Sequence, residues 1–109
     1  MTVDASPPVS VIVPVYNDRK QLRRCLEALS EQTHPTDRYE VIVVDNGSDQ
    51  PVQPLIQKFD SAVLGRESRP GSYAARNRGL TMATGTILAF TDADCIPQPR
   101  WIEAGVECL

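Results

Sequence analysis

The sequence predicts an α/β fold with a mostly parallel sheet and alternating helices, and three observations predict it. Short β-branched runs take turns with segments of helical period along the chain. The run Val41-Ile42-Val43-Val44 is continuously apolar, as in a strand covered on both faces. Three of the runs end in polar clusters that lead into helical segments, so the connections are crossovers rather than hairpins.

The first strand is Val9-Ser10-Val11-Ile12-Val13, bounded by Pro7-Pro8 and Pro14. Residues 1–8 before it are expected to form a flexible arm. Leu22, Cys25, Leu26 and Leu29 then recur at the spacing of one helical face. Asp18 with Gln21 three residues later resembles a capping box at the start of that helix, and Thr33-His34-Pro35 ends it. Tyr39 to Val44 is the second strand, closing on Asp45-Asn46-Gly47-Ser48. Around Val52, Leu55, Ile56 and Phe59 a helical spacing is weakened by Pro51 and Pro54, and Ala62-Val63-Leu64 is a short third strand. Ser72 is expected to cap a helix through Tyr73, Ala75, Leu80 and Ala83, with Gly85 as its stop. Thr86 to Thr91 is expected to be another buried strand, followed by Asp92-Ala93-Asp94 and a last helix from about Pro99.

Composition narrows the function. The chain has 109 residues, 14 acidic against 11 basic side chains, a net charge of -3 and 41% apolar residues. That suits one soluble domain and disfavours a nucleic-acid or anionic-membrane partner. No run approaches the ~18 apolar residues of a membrane span, and the polar start has no signal-peptide pattern. A cytoplasmic location is expected, with membrane association of a longer parent protein left open. Cys25, Cys95 and Cys108 are too scattered for a disulfide framework and are expected to be reduced and mostly buried. The lone His34 has no ligand partner nearby in sequence, so a zinc site is not expected, and any metal must use oxygen ligands. Motifs for a P-loop, a dinucleotide fold or a serine-hydrolase elbow are absent.

In a parallel sheet, ligands bind outside the carboxyl ends of the strands. Three strand ends carry distinctive groups there: Pro14-Val15-Tyr16-Asn17-Asp18, Asp45-Asn46-Gly47-Ser48 and Asp92-Ala93-Asp94. Asp92 and Asp94, two residues apart, present carboxylates to one side. Such hard oxygen ligands suit Mg²⁺ or Mn²⁺, although an isolated Asp-x-Asp is more often a solvated turn. Asp45 can accept a hydrogen bond from a base or ribose, and Tyr16 is either packing or a flat surface for a nucleobase. Arg66, Arg69, Arg76 and Arg78 face Glu67 alone in their stretch of the chain. They are solvated arginines, or Arg76 holds a diphosphate beside the cation.

Taken in order, the blocks from Val9 to Asp18, Val43 to Ser48, Gly71 to Gly79 and Phe90 to Asp94 resemble the family 2 glycosyltransferases. The resemblance runs from Val9 through nearly the whole chain. It implies that residues 9–109 are the nucleotide-sugar-binding, N-terminal portion of the Rossmann-like A-type glycosyltransferase fold. It also implies that Pro14 and Tyr16 flank the base, with Asp18 in the same donor-binding set, and that Asp45 contacts the base. Arg76 and Asn77 lie near the base or diphosphate, Asp92 near the ribose, and Asp94 is the main contact of a Mn²⁺ or Mg²⁺. The implied reaction is inverting transfer from a nucleotide-diphosphate sugar, a UDP-sugar first among donors, to an acceptor hydroxyl. The family's general base and acceptor-facing elements lie well downstream of the Asp-x-Asp strand, and the base is expected beyond Leu109, in a longer protein. No catalytic residue is therefore assigned, and Glu103 and Glu107 are not put forward for the role.

Two other classes compete. One is a catalytically incomplete nucleotide-binding or self-associating module, since a partial sheet leaves an edge open to a homodimer. The other, a nucleotidyltransferase, is disfavoured because no glycine-rich, lysine-bearing loop follows the first strand.

Overall fold

The computed structural model describes residues 8–109. The arm expected over 1–8 lies outside the described residues except for Pro8, whose carbonyl accepts the N–H groups of Thr86 and Ile87, each at 3.1 Å. Four strands form one parallel sheet: β1 (Val9–Val15), β2 (Tyr39–Asp45), β3 (Ala62–Arg66) and β4 (Ile87–Phe90), in the order β3-β2-β1-β4. The helices are α1 (Arg19–Ser30), the single turn α2 (Gln53–Ile56), α3 (Ser72–Met82) and α4 (Trp101–Glu107), with a 3₁₀ turn over Thr36–Arg38.

Alternation along the strands divides the side chains between two faces. Val9, Val11, Val13 and Val15 of β1 join Tyr39, Val41 and Val43 of β2 against Leu22, Cys25, Leu26 and Leu29 of α1. This is the larger core, and it also takes in Ile102 of α4. Each fully buried leucine there contributes about 1.5–3 kcal/mol of transfer free energy. On the other face Ile42 and Val44 pack against Ala75 of α3. Gly79 lets α3 close on the sheet, because a Cβ there would lie 2.6 Å from Ile12 Cγ2. The chain steps from β1 to β2 to β3 in one direction, then crosses back to put β4 on the far side of β1. That reversal accompanies the move of the connecting helix α3 to the opposite face.

Several sequence expectations change. The first strand continues through Pro14 to Val15 although it is central. Ile12 and Pro14 point their backbone groups to the β4 side, and β4 pairs only as far as Ile12, so the N–H that proline lacks is not needed by the ladder. Asp18 is the N-cap of α1, yet its side chain makes no cap bond, because its ψ of 54° is not the extended geometry that aims a cap at the helix. The N-cap of α3 is Gly71 rather than Ser72, at a φ of 105° that favours glycine. Gly85 is not the helix stop, since Ala83 is the C-cap. It serves a close approach instead, with Ser10 N only 2.7 Å from where a Cβ would stand. The strand expected to be buried over Thr86 to Thr91 is a half-exposed edge, with Leu88 and Phe90 both 44% exposed. Only Cys25 of the three thiols is buried; Cys95 and Cys108 are exposed.

Candidate functional site at the carboxyl edge of the sheet

Because β1 lies between β2 and β4 and all three run parallel, their carboxyl ends are neighbours. The reversal of connection falls between β1 and β4, the place where open α/β sheets leave a crevice. Tyr16 stands there 61% exposed, whereas Pro14 is buried within the strand and backs the edge without offering an open face. Asn17 follows in the left-handed region at φ 51°. Its N–H donates to Ser48 Oγ at 2.9 Å, and its Oδ1 accepts the N–H of Asp49 at 2.8 Å. These bonds tie the β1–α1 loop to the β2–α2 loop. A crevice of about 250 Å³ between the loops is lined by Asn17, Arg19, Ser48, Asp49 and Gln50; Asn17 and Ser48 belong to the strand-end clusters marked in the sequence, but none of the five is among the expected donor-binding residues.

Asp45 is 8% exposed at the end of β2. One carboxylate oxygen accepts Ser48 N–H at 3.0 Å, and the other has no hydrogen bond among the described residues. The half-buried Asp18 likewise spends nothing on its helix.

Past β4 the chain turns at once. Cys95 N–H donates to Asp92 O at 3.0 Å, which curls Asp92, Ala93 and Asp94 into a turn while Ala93 anchors it in the core. Asp92, Asp94 and Cys95 are exposed, and a ligand atom from each lies within 4.8 Å of the others, the one such cluster of three among the described residues. The two carboxylates supply the hard oxygen ligands suited to Mg²⁺ or Mn²⁺. Cys95, a softer donor, is a member that the sequence reading misses; its place directly after Asp94 is the available signal. Beneath the turn, Cys25 Sγ meets Asp92 O at 3.7 Å. Burial first, and then the negative potential of Cys95, Asp94 and Asp92, push the Cys25 thiol up to about 12. It is therefore an uncharged packing group at neutral pH.

From α3, Arg76 Nη2 meets Asp92 Oδ1 at 3.2 Å. With side chains 39% and 55% exposed, this pair is worth about 0–1 kcal/mol. Asn77, one residue on, is turned away from it into a groove of about 440 Å³ shared with Arg66, Arg69 and Arg78. The structure thus joins Arg76 to Asp92, whose turn also carries Asp94, and sets Asn77 apart from them. Glu103 accepts from Thr33 Oγ1 and Arg100, and Glu107 also pairs with Arg100, so both are engaged on α4. Leu109, past which the general base is expected, follows α4 as an exposed residue whose N–H donates to Val106 O at 3.2 Å. The expected base therefore lies outside the described residues.

A sequence model described as Glycosyl transferase family 2 matches residues 10–109. The chain is 44% identical over 108 residues to glycosyltransferase AglE of Haloferax volcanii, covering 94% of this chain and 36% of that protein. It is 34% identical over 106 residues to chondroitin synthase of Escherichia coli, covering 93% of this chain and 15% of that one. Among solved structures, S. aureus TarS 1–349 superposes with a TM-score of 0.84 at 27% identity, over 92% of this chain and 31% of that 1–349 chain. The mannosyltransferase PcManGT from Pyrobaculum calidifontis, solved with GDP-Man and Mn²⁺, gives 0.82 at 31% identity over 96% and 32%. The chain spans about a third or less of the length of these relatives. A parallel sheet of this order, an acidic turn at its carboxyl edge and a match running from the first strand to the last helix place the chain in glycosyltransferase family 2.

Proposed function

We propose that residues 9–109 are the donor-binding portion of a metal-dependent, inverting glycosyltransferase that takes a nucleotide-diphosphate sugar. The observation that carries this reading is the convergence of Tyr16, Asp45, Arg76, Asp92 and Asp94 on one edge of the sheet. In it, Tyr16 and Asp45 meet the base, with Pro14 behind them and Asp18 beside them. Asp92 lies toward the ribose and Arg76 toward the diphosphate. Asn77, which lines a different groove, acts in donor binding only through the helix it shares with Arg76. Asp94 with Asp92 would hold Mn²⁺ or Mg²⁺, which when bound supplies positive charge to a departing nucleoside diphosphate. Support for a nucleotide-sugar donor comes from relatives solved with UDP, with UDP-GlcNAc, and with GDP-Man and Mn²⁺. No general base is assigned among the described residues, and in this reading it belongs to sequence beyond Leu109. No helix among the described residues is long and apolar enough to cross a membrane.

Titrating the chain with UDP and with GDP, each in the presence of Mn²⁺, tests the reading by calorimetry. Saturable binding that Asp94→Ala abolishes is expected. Binding of neither nucleotide by a folded sample, or binding indifferent to that substitution, would sink it. The exposed β4 edge, with Leu88 and Phe90 on it, favours self-association as a second reading. Sedimentation at rising concentration separates the two, since a monomer throughout removes the second.

A further inference from the structure

Asn46 ties the end of β2 to the start of α3. Its own N–H donates to Val15 O at 2.9 Å, which fixes its backbone to β1. Its side-chain Nδ2 donates to the carbonyl oxygens of Glu67 at 3.0 Å and Arg69 at 2.7 Å, and its Oδ1 accepts the N–H of Gly71 at 2.9 Å. These partners fix the orientation of the amide, because carbonyls only accept and a peptide N–H only donates. An aspartate in its place could keep the Gly71 bond alone and would set negative charge against two carbonyl oxygens.

Gly71 is the N-cap of α3, so the three bonds decide where the helix begins. Each residue of slip along an α-helix turns a side chain by about 100° and moves it by about 1.5 Å. A slip of one residue would swing Arg76 away from Asp92. The half-exposed Arg76–Asp92 pair is too weak to hold the helix in register by itself. Three hydrogen bonds to an ordered amide are a stronger constraint than that pair, and they fix the first turn of α3 while Ala75 and Gly79 seat its middle on the sheet.

We infer that Asn46 is a positioning residue for donor binding, which acts by setting the register of α3 at which Arg76 reaches Asp92. This rests on the donor-site reading above. Its test uses the full chain and reads two quantities. Without nucleotide, the Arg76 Nε–Hε resonance shifts when Asp92→Asn is introduced into the wild-type chain, and no longer responds to that change in Asn46→Ala. With Mn²⁺ and whichever of UDP or GDP binds, Asn46→Ala weakens affinity about tenfold. The double variant Asn46→Ala/Arg76→Gln then binds no more weakly than Arg76→Gln alone, as expected when one residue acts through the other. Losses that multiply in the double variant, or an Arg76 resonance that still responds to Asp92→Asn, overturn the inference. If the wild-type chain binds neither nucleotide, the donor-site reading fails, and the donor role of Asn46 fails with it; the resonance still decides the link to Arg76. Should Asn46→Ala not fold, Asn46→Ser, which keeps one hydroxyl for the Gly71 N–H, reads the same quantities.

Discussion

The two ends of the sheet treat their carboxylates in opposite ways. At the amino end, one oxygen of Glu40 receives Ser10 Oγ at 2.6 Å and both the N–H and the hydroxyl of Thr84 at 2.8 Å. Ser10 Oγ in turn accepts Gly85 N–H at 2.8 Å. Burial acts to raise the Glu40 carboxyl, but the bonds from Ser10 and Thr84 outweigh it and hold the group below its ordinary value. At the carboxyl end Asp92 and Asp94 stand exposed; Asp92 has the half-exposed Arg76, and Asp94 has only a weak contact from Cys95 Sγ at 3.7 Å among the described residues. The same sequence can gather three donors on one carboxylate oxygen where it serves the fold. Asp92 and Asp94, which it leaves exposed, are among the acids the donor reading uses.

The contrast is broken most severely by Gly85→Ala. The new Cβ would press on the backbone of β1, which cannot turn aside as a side chain does, and about 3 kcal/mol of stability is expected to be lost in urea denaturation. Glu40→Gln is expected to cost about 1 kcal/mol, its partial exposure discounted. The pH dependence follows from the lowered folded-state value. The contribution of Glu40 is complete above the carboxyl's ordinary value and is lost as pH falls through the lowered one. Denaturation curves at several acidic pH values should therefore be flatter with pH in Glu40→Gln than in the wild type. Asp94→Asn is expected to change stability by less than about 0.5 kcal/mol. An equal loss at both ends would erase the distinction. The mildest probe is maleimide labelling: Cys95 and Cys108 should react in the native chain, and Cys25 only on unfolding.

Much of this was legible in the sequence where local pattern decides structure. The buried face of α1 is the one its apolar spacing marks, and β2 is the continuous apolar run. The four-residue α2 is what two prolines leave of a helical pattern. The errors share a cause, which is that partners distant in sequence set local geometry. Asn46 reads as a turn residue because its acceptors lie 21 and 23 residues on. Gly85 looks like a helix stop until Ser10, 75 residues earlier, is seen against it. Strand order makes β4 an edge, and no local run of Ile-Leu-Ala-Phe encodes that position. Of the expected site, the strand-end acids and Arg76 meet at one edge, while Asn77 departs because adjacent helical residues point about 100° apart.

Pro14 sets a limit on how far the sheet can zip. The parallel register that pairs Ile12 with Phe90 would next match residue 14 with Asp92, and its rung would need an N–H from residue 14 to Thr91 O. Proline has none to give. The ladder therefore halts just short of Asp92, whose carbonyl is left to receive Cys95 and close the turn. A missing hydrogen in the middle of the sheet keeps the acidic turn from being drawn in as a further stretch of strand.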